Sequence, residues 1–552
     1  MKTNIAEFFE ESSVIYSDRT AIVSQAEKGR KVTFGQLRNM TDTYACEFRR
    51  TGIARGTKVL LMLRPGPDFI AAVFAVFKIG AIPVLIDPGM GLKNLLNCIK
   101  KTSPEAMIGI SKAHWIKYFF PFFFRTVKIS IVHGAFAPPW MTKLESMLKK
   151  NNNDRSFKCE ETKLDDTAAI VFTTGSTGPP KGVVYTHGIY IAQLDIISQT
   201  YGAGPSEIDL PAFPLFALFS TAVGMSVVIP DMDPSRPANA DPEKIIEAVT
   251  KNNVTFSFGS PALWKKVSAY CIEKNIRLPS LKKVLMAGAP INSDVHAMVK
   301  KIISTDGETL VPYGATEALP IANFAGTEML AETAEKTADG AGYCIGRPID
   351  GITIKIIAAV NTPIETWSPS LELRQGSKGE IVVKGPVVTP CYFNEPAHTR
   401  NAKIADADGQ VWHRMGDVGY YDEKGRLWFC GRKAHRVMTK DGILYSVCCE
   451  AIFNRHPDVS RSALVGIGPE GRQTPVIIIE PRSGKMPGSE DKKMKFIDEL
   501  NNLGADHKFT LRISHFLFHP AFPVDIRHNA KIFREKLAAW AAGQKGVAHV
   551  RI

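Results

Sequence analysis

Short apolar runs recur along the first 350 residues, among them Lys58-Val59-Leu60-Leu61-Met62-Leu63, Ala81-Ile82-Pro83-Val84-Leu85-Ile86 and Thr167-Ala168-Ala169-Ile170-Val171-Phe172. These read as strands, and helical stretches such as 68–80 lie between them. Such alternation predicts an α/β architecture with largely parallel sheets. After about residue 355 the texture changes to short strands punctuated by Gly and Pro. Examples are Gly379-Glu380-Ile381-Val382-Val383-Lys384-Gly385-Pro386 and Gly425-Arg426-Leu427-Trp428-Phe429-Cys430-Gly431, which suggest a small β-rich subdomain. A last segment, roughly 433–552, mixes a strand at Val476-Ile477-Ile478-Ile479-Glu480 with a helix over 529–542, and 485–495 reads as a solvated loop. No internal repeat or long low-complexity tract interrupts the chain.

The length of 552 residues exceeds one core and predicts two to four domains. With 45% hydrophobic and 22% charged residues the chain has the make-up of a globular enzyme. A net charge of +13 admits acidic partners such as nucleotides or phospholipid surfaces, but the basic residues are dispersed. No basic run or zinc-finger spacing points to nucleic acid, and none is expected as a partner. Nine cysteines without a Cys-x-x-Cys pair, and an N-terminus unlike a signal peptide, predict a reducing, cytoplasmic setting. No run reaches the length of a transmembrane helix. One aromatic cluster stands out: Trp115-Ile116-Lys117-Tyr118-Phe119-Phe120-Pro121-Phe122-Phe123-Phe124-Arg125. It reads equally well as a lipid- or partner-facing patch and as buried core.

The stretch Thr173-Thr174-Gly175-Ser176-Thr177-Gly178-Pro179-Pro180-Lys181-Gly182 concentrates three glycines, four hydroxyls and a lysine directly after a strand-like run. Glycines allow close backbone approach, and hydroxyls and amides donate hydrogen bonds, so the loop is suited to cradling a polyphosphate. It differs from the usual P-loop, because Lys181 precedes a second strand, Gly182-Val183-Val184-Tyr185, instead of opening a helix. The same residues also make flexible hairpin turns, and the loop by itself leaves that alternative standing.

Further segments decide. Ala287-Gly288-Ala289-Pro290, Tyr313-Gly314-Ala315-Thr316-Glu317, Trp412-His413-Arg414-Met415-Gly416-Asp417-Val418-Gly419-Tyr420, Gly431-Arg432-Lys433 and the C-terminal stretch from Phe522 through Lys531 to Arg534 follow in order. With them the chain resembles the adenylate-forming superfamily of acyl-CoA synthetases, luciferases and adenylation domains over nearly its full length. The resemblance implies ATP and Mg²⁺ as cofactors. It implies a domain of 1–432, built from two αβ-layered subdomains plus the β-rich one, and a small mobile α+β lid of 433–552. Thr173, Thr174, Gly175, Ser176, Thr177, Gly178 and Lys181 would surround phosphate. Gly288, Ala289, Pro290, Tyr313 and Gly314 would border the adenine. Thr316 would touch phosphate and Glu317 would hold magnesium, a hard cation suited to a carboxylate. Asp417 would grip the ribose hydroxyls, Arg432 would contact ribose or phosphate, and Lys531 would bridge the substrate carboxylate and the α-phosphate. The chain departs from the pattern at Met415, where Thr is usual, at Ala530, where Gly is usual, and in two extra residues between Pro523 and Lys531.

Phe213-Pro214-Leu215-Phe216-Ala217-Leu218-Phe219 occupies the family's acyl-pocket segment, with Ala217 in place of the expected His. Phe213, Phe216, Ala217 and Phe219 are therefore the candidate substrate contacts. Apolar side chains without a charged partner favour a hydrocarbon acid over an amino acid. The hinge position two residues after Arg432 holds Ala434, where CoA ligases carry Asp or Lys, and Asp441 to Glu450 departs from the usual CoA-admitting element. Together with Gly-Arg-Lys-Ala-His-Arg-Val and the C-terminal motif, these features resemble one branch closely: the β-lactone synthetases of bacterial olefin biosynthesis. That branch implies adenylation of a long-chain 2-alkyl-3-hydroxy acid followed by closure of its own hydroxyl onto the carbonyl. It also implies other olefin-pathway enzymes as partners, for which the 115–125 cluster offers an interface; the same cluster, flanked by Lys117, Arg125 and Lys128, is by its own residues the candidate for peripheral membrane contact. The alternatives are a fatty-acyl-CoA ligase and a weakly active nucleotide-binding scaffold.

Overall fold

The computed structural model describes residues 2–134, 141–149, 156–173, 179–524 and 531–544. Two large sheets organise it. The first has seven strands in the order Thr142–Lys143, Ile129–His133, Ala106–Ile110, Lys58–Met62, Ile82–Leu85, Thr167–Phe172, Gly182–Thr186. All neighbours run parallel except the last pair. The apolar runs are its central strands, because helices cover both faces and leave no polar side to alternate with. One of these helices, Pro67–Lys78, is buried along its whole length, which explains its lack of a polar stripe.

The second sheet has fourteen strands. Its parallel part is Ser226–Ile229, Ile208–Pro211, Phe256–Gly259, Lys283–Met286 and Glu308–Ala315, packed against helices such as Pro261–Glu273 and Ser293–Ile302 through Trp264, Val267 and Val299. The N-terminal strand Thr20–Ser24 joins this sheet alongside Ser226–Ile229, two hundred residues away, and not the first sheet, which follows it in sequence. The β-rich stretch expected after 355 is not a detached unit. It starts at Tyr343 and extends the second sheet by antiparallel pairing, through Ala318–Ala325, Tyr343–Pro348, Leu427–Arg432, Val411–Tyr421, Gly379–Lys384 and Thr353–Ile357. The join is narrow: only Ala322 with Pro348 and Asn323 with Arg347 are in register.

After Arg432 the chain leaves that sheet for a three-stranded one, Val459–Ile467, Thr474–Pro481 and His515–Phe518, with its own core of Phe453, Leu464, Ile477, Ile479 and Leu500. Two local expectations are corrected here. The 485–495 stretch is loop only to Ser489, whose hydroxyl caps a helix Glu490–Ala505. The last helix is Arg534–Ala542, not 529–542; Lys531 precedes it in an extended stretch where Ile532 bridges Val524, and 525–530 lie outside the described residues. The aromatic cluster forms the helix Ser111–Phe119 and a turn Pro121–Phe124. Phe124 is buried, whereas Trp115, Tyr118, Phe119 and Phe122 share an outward face. All nine cysteines are free thiols. No helix of the described residues is long and apolar enough to cross a membrane.

Gly346 makes the narrow join possible. Its φ is +83°, and a Cβ there would lie 1.8 Å from the Asn323 carbonyl oxygen. Gly346→Ala combines a left-handed backbone with a backbone collision, so it should cost roughly 3 kcal/mol or more. A lowered urea midpoint with an unchanged slope is the expected result.

Candidate active site

The two strands Thr167–Phe172 and Gly182–Thr186 form a hairpin whose neck is closed by the Thr173 N–H donating to the Lys181 carbonyl at 3.0 Å. Thr174, Gly175, Ser176, Thr177 and Gly178 lie outside the described residues. Lys181, at the far side of the neck, holds its ammonium 5.0 Å from the centre of the Tyr392 ring. The expected strand–loop–strand arrangement is thus present on both sides of that tip, and Lys181 faces a large cavity of about 1700 Å³.

A second hairpin, Glu308–Ala315 with Ala318–Ala325, carries Thr316 and Glu317 as its two-residue tip. Gly314 is demanded by the fold: a Cβ would sit 2.7 Å from the Ala318 carbonyl. The tip is pinned from behind. Tyr185 donates its hydroxyl to the Thr316 carbonyl at 2.6 Å, and Thr389 donates both N–H and hydroxyl to the Glu317 carbonyl at 2.9 Å. The Glu317 carboxylate accepts a hydrogen bond from the Tyr392 hydroxyl at 2.6 Å. Behind it lies Lys403, whose burial pushes the ammonium down to about 7 against the opposing pull of Glu317. Gly288, at φ +95°, with Ala289 and Pro290, forms the turn after Lys283–Met286 on the same cavity wall.

Asp417 joins the site's two halves. Its Oδ2 accepts the Tyr313 hydroxyl at 2.6 Å, and its Oδ1 pairs with Arg432 Nη1 at 3.0 Å on the neighbouring strand, directly in register. Burial raises the carboxyl above its ordinary value, opposed first by Arg432 and also by Lys531, whose charge reaches it from the C-terminal segment. Lys531 lines the cavity, and its segment is held by Arg534, whose Nε and Nη2 donate to the two oxygens of Glu450 at 2.9 and 2.6 Å. Next to these stands His435, which burial and the guanidinium groups of Arg534 and Arg432 push down to about 3, so it is neutral. Below them Glu380 receives Arg414 at 2.7 Å and Lys433 at 2.9 Å. Cations outnumber carboxylates around this end, as a polyphosphate ligand requires.

The opposite end is apolar. Phe216 and Phe219 line it from the short helix Phe216–Ala222 and Phe213 from the turn before it, with Phe216 stacked 3.6 Å from Phe258 and Phe219 against Tyr190. Ala217 does not join them. One residue is a 100° rotation on a helix, and Ala217 packs into the core, 2% exposed and away from the cavity. The cavity floor holds Asp209, fully buried, whose carboxylate among the described residues accepts only the Ser220 hydroxyl at 2.6 Å, and burial pushes its carboxyl up to about 7. Reading the sequence overlooked Asp209, Tyr392, Lys403, His435 and Glu380. Asp209 left a signal as an acid inside the apolar run Ile208-Asp209-Leu210-Pro211-Ala212, and His435 as a polar residue beside Arg432. Tyr392 and Lys403 left none, since only folding brings them behind Glu317.

A model of the AMP-binding enzyme family matches residues 9–393. The olefin beta-lactone synthetase of Xanthomonas campestris pv. campestris is 43% identical over 93% of this chain and 91% of its own length. The protein of the same name from Stenotrophomonas maltophilia is 42% identical over the same shares. The amide bond synthetase McbA from Marinactinospora thermotolerans shares the fold, with a TM-score of 0.80 at 22% identity over 97% of this chain and 99% of that one. The chain belongs to the AMP-binding enzyme family, among the adenylate-forming ligases related to olefin beta-lactone synthetases.

Proposed function

We propose that this chain activates a long-chain 2-alkyl-3-hydroxy acid with ATP and then closes it to a β-lactone in olefin biosynthesis. The observation that carries this reading is one continuous cavity of about 1700 Å³, cationic at Lys181, Arg432 and Lys531 and aromatic at Phe213, Phe216 and Phe219. A single drug-sized ligand fills roughly 300–1,000 Å³. The extra room suits a nucleotide and hydrocarbon side by side.

In the first step a carboxylate oxygen attacks the α-phosphorus and pyrophosphate leaves. Lys181 and the 173–178 loop hold phosphate, Tyr313 and the Gly288–Ala289–Pro290 turn flank adenine, and Asp417 with Arg432 binds ribose. Lys531 bridges the carboxylate and α-phosphate as charge redistributes. Thr316 contacts phosphate. Mg²⁺ is usually held by one or two carboxylates plus phosphate oxygens. Glu317 would be that carboxylate, and the bound ion would supply neutralisation of phosphate charge. In the second step the substrate's own hydroxyl oxygen bonds to the carbonyl carbon, the bond to phosphate oxygen breaks, and AMP and a proton depart. The nucleophile is already tethered, so no entropy of bringing in an acceptor opposes closure. We place the domain boundary after Arg432, with 433–552 as a mobile lid delivering Lys531. The same reading makes other enzymes of the olefin sequence neighbours of the product.

Incubation with ATP and a 2-alkyl-3-hydroxy acid should yield β-lactone and AMP whether or not CoA is present; a thioester formed only with CoA would make the chain a fatty-acyl-CoA ligase instead. Lys531→Ala should lower acyl-dependent ATP–pyrophosphate exchange by about 10²–10³-fold, with the thermal unfolding curve unchanged; retained exchange would mean another lysine does the work. Asp209 adds a pH dependence. Its folded carboxyl stands near 7 against about 3.9 in the unfolded chain, so the folded state holds the extra proton between these values. Stability is therefore full below about pH 4 and falls as pH rises to about 7, by on the order of 4 kcal/mol. Urea unfolding at pH 5 and 7.5 should show the loss, and Asp209→Asn should flatten it.

A further inference from the structure

The helix Ser111–Phe119 has two faces with different employment. Its inner face, through Lys112, Ala113 and Ile116, is a wall of the cavity. Its outer face presents Trp115, Tyr118 and Phe119 at 59, 72 and 68% exposure, and the following turn adds Phe122 at 53%. The first three rings touch one another, with centroids 5.5 to 6.2 Å apart. Side chains this exposed stand proud of the surface instead of lining a groove, so a bound peptide would find no walls. Soluble proteins seldom leave such a patch uncovered.

The charge around the patch says what covers it. Between residues 91 and 134 there are seven Lys and Arg and one acid, Glu105. Lys100 and Arg125 sit 5.0 and 5.1 Å from the Phe122 ring centre, so the cationic rim adjoins the aromatic tip. A second copy of the chain is a poor occupant, because a two-fold interface would set this positive rim against itself. Trp and Tyr favour the level of lipid headgroups, where an apolar ring and a polar atom are both satisfied. Basic residues at the same height gain from anionic lipid. Leu92, 46% exposed, also lines the cavity, so that cavity reaches the surface on the side of the patch.

We propose that Trp115, Tyr118, Phe119 and Phe122 insert into the headgroup region of an anionic bilayer, with Lys100, Arg125 and Lys128 on its phosphates. Docking sets the cavity's opening beside Leu92 against the membrane as an entry for a hydrocarbon acid. That purpose rests on the proposed acyl substrate; the docking does not.

The test is co-sedimentation of the full chain with phosphatidylcholine vesicles, with and without about 30% phosphatidylglycerol. Binding should require the anionic lipid and weaken with salt, each basic residue at the surface contributing roughly fivefold in partition. Trp115→Ser, Tyr118→Ser, Phe119→Ser and Phe122→Ser combined should reduce binding at least tenfold. The unfolding midpoint and ATP–pyrophosphate exchange with a short water-soluble acid should stay as in the parent. Lys100→Glu, Arg125→Glu and Lys128→Glu combined should abolish the preference for anionic vesicles. Wild-type protein that ignores both vesicles, a quadruple variant that binds as the parent does, or a parent dimer that the quadruple variant converts to monomer would overturn the proposal. Vesicle binding needs no substrate, so its failure would leave the β-lactone reading untouched, and a failed product assay would leave the docking untouched.

Discussion

Tyr313 and Asp417 share a 2.6 Å hydrogen bond although three strands lie between theirs in the second sheet. In a flat sheet four strand spacings would separate their backbones by roughly 19 Å, beyond the reach of the two side chains. The sheet therefore has to fold back on itself, and the place where it can is the narrow join at Asn323 and Gly346, where a side chain on the glycine would strike the opposing carbonyl. The nucleotide end of the cavity is the inside of that fold. Arg432 and Tyr313 both bind Asp417 because the bend brings an adenine-side tyrosine and a boundary arginine to one carboxylate.

Burial then sets the electrostatics. A lone carboxylate at Asp417 would be costly, and its partners offset that cost with one neutral donor and one guanidinium. Glu317 has the opposite arrangement: its backbone is clamped by Thr389, and among the described residues its carboxylate accepts only the Tyr392 hydroxyl. The clamp leaves the acid positioned and the remaining oxygen available to a ligand. Among Phe213, Phe216 and Phe219 at the apolar end, Asp209 is neutralised by its burial over most of the acidic range.

Local motifs were readable because their chemistry depends on neighbours in sequence. Tyr313-Gly314-Ala315-Thr316-Glu317 is a hairpin tip, and glycine at 314 is dictated by the next four residues. Thr173 and Lys181 close one neck. By contrast, Ala217 looked equivalent to Phe216 in a seven-residue motif, and only the helical rotation sent it into the core. The strand Thr20–Ser24 and the merging of the β-rich stretch with the second sheet were hidden because strand partners are chosen across hundreds of residues, for which a strand's own composition carries no address.

By itself the sequence determined the chemistry at hand: a hydroxyl- and glycine-rich loop, a Thr-Glu tip, an Asp and an Arg before the boundary, and a lysine near the end. Residue type and short spacing suffice for that, since donor, acceptor and charge are properties of side chains. The tertiary structure alone decided which of them meet. It put Tyr392 and Lys403 behind Glu317, Glu450 under Arg534 and an acid on the acyl floor, and it turned four aromatic rings outward, because distance and burial are fixed by how the sheets pack and bend.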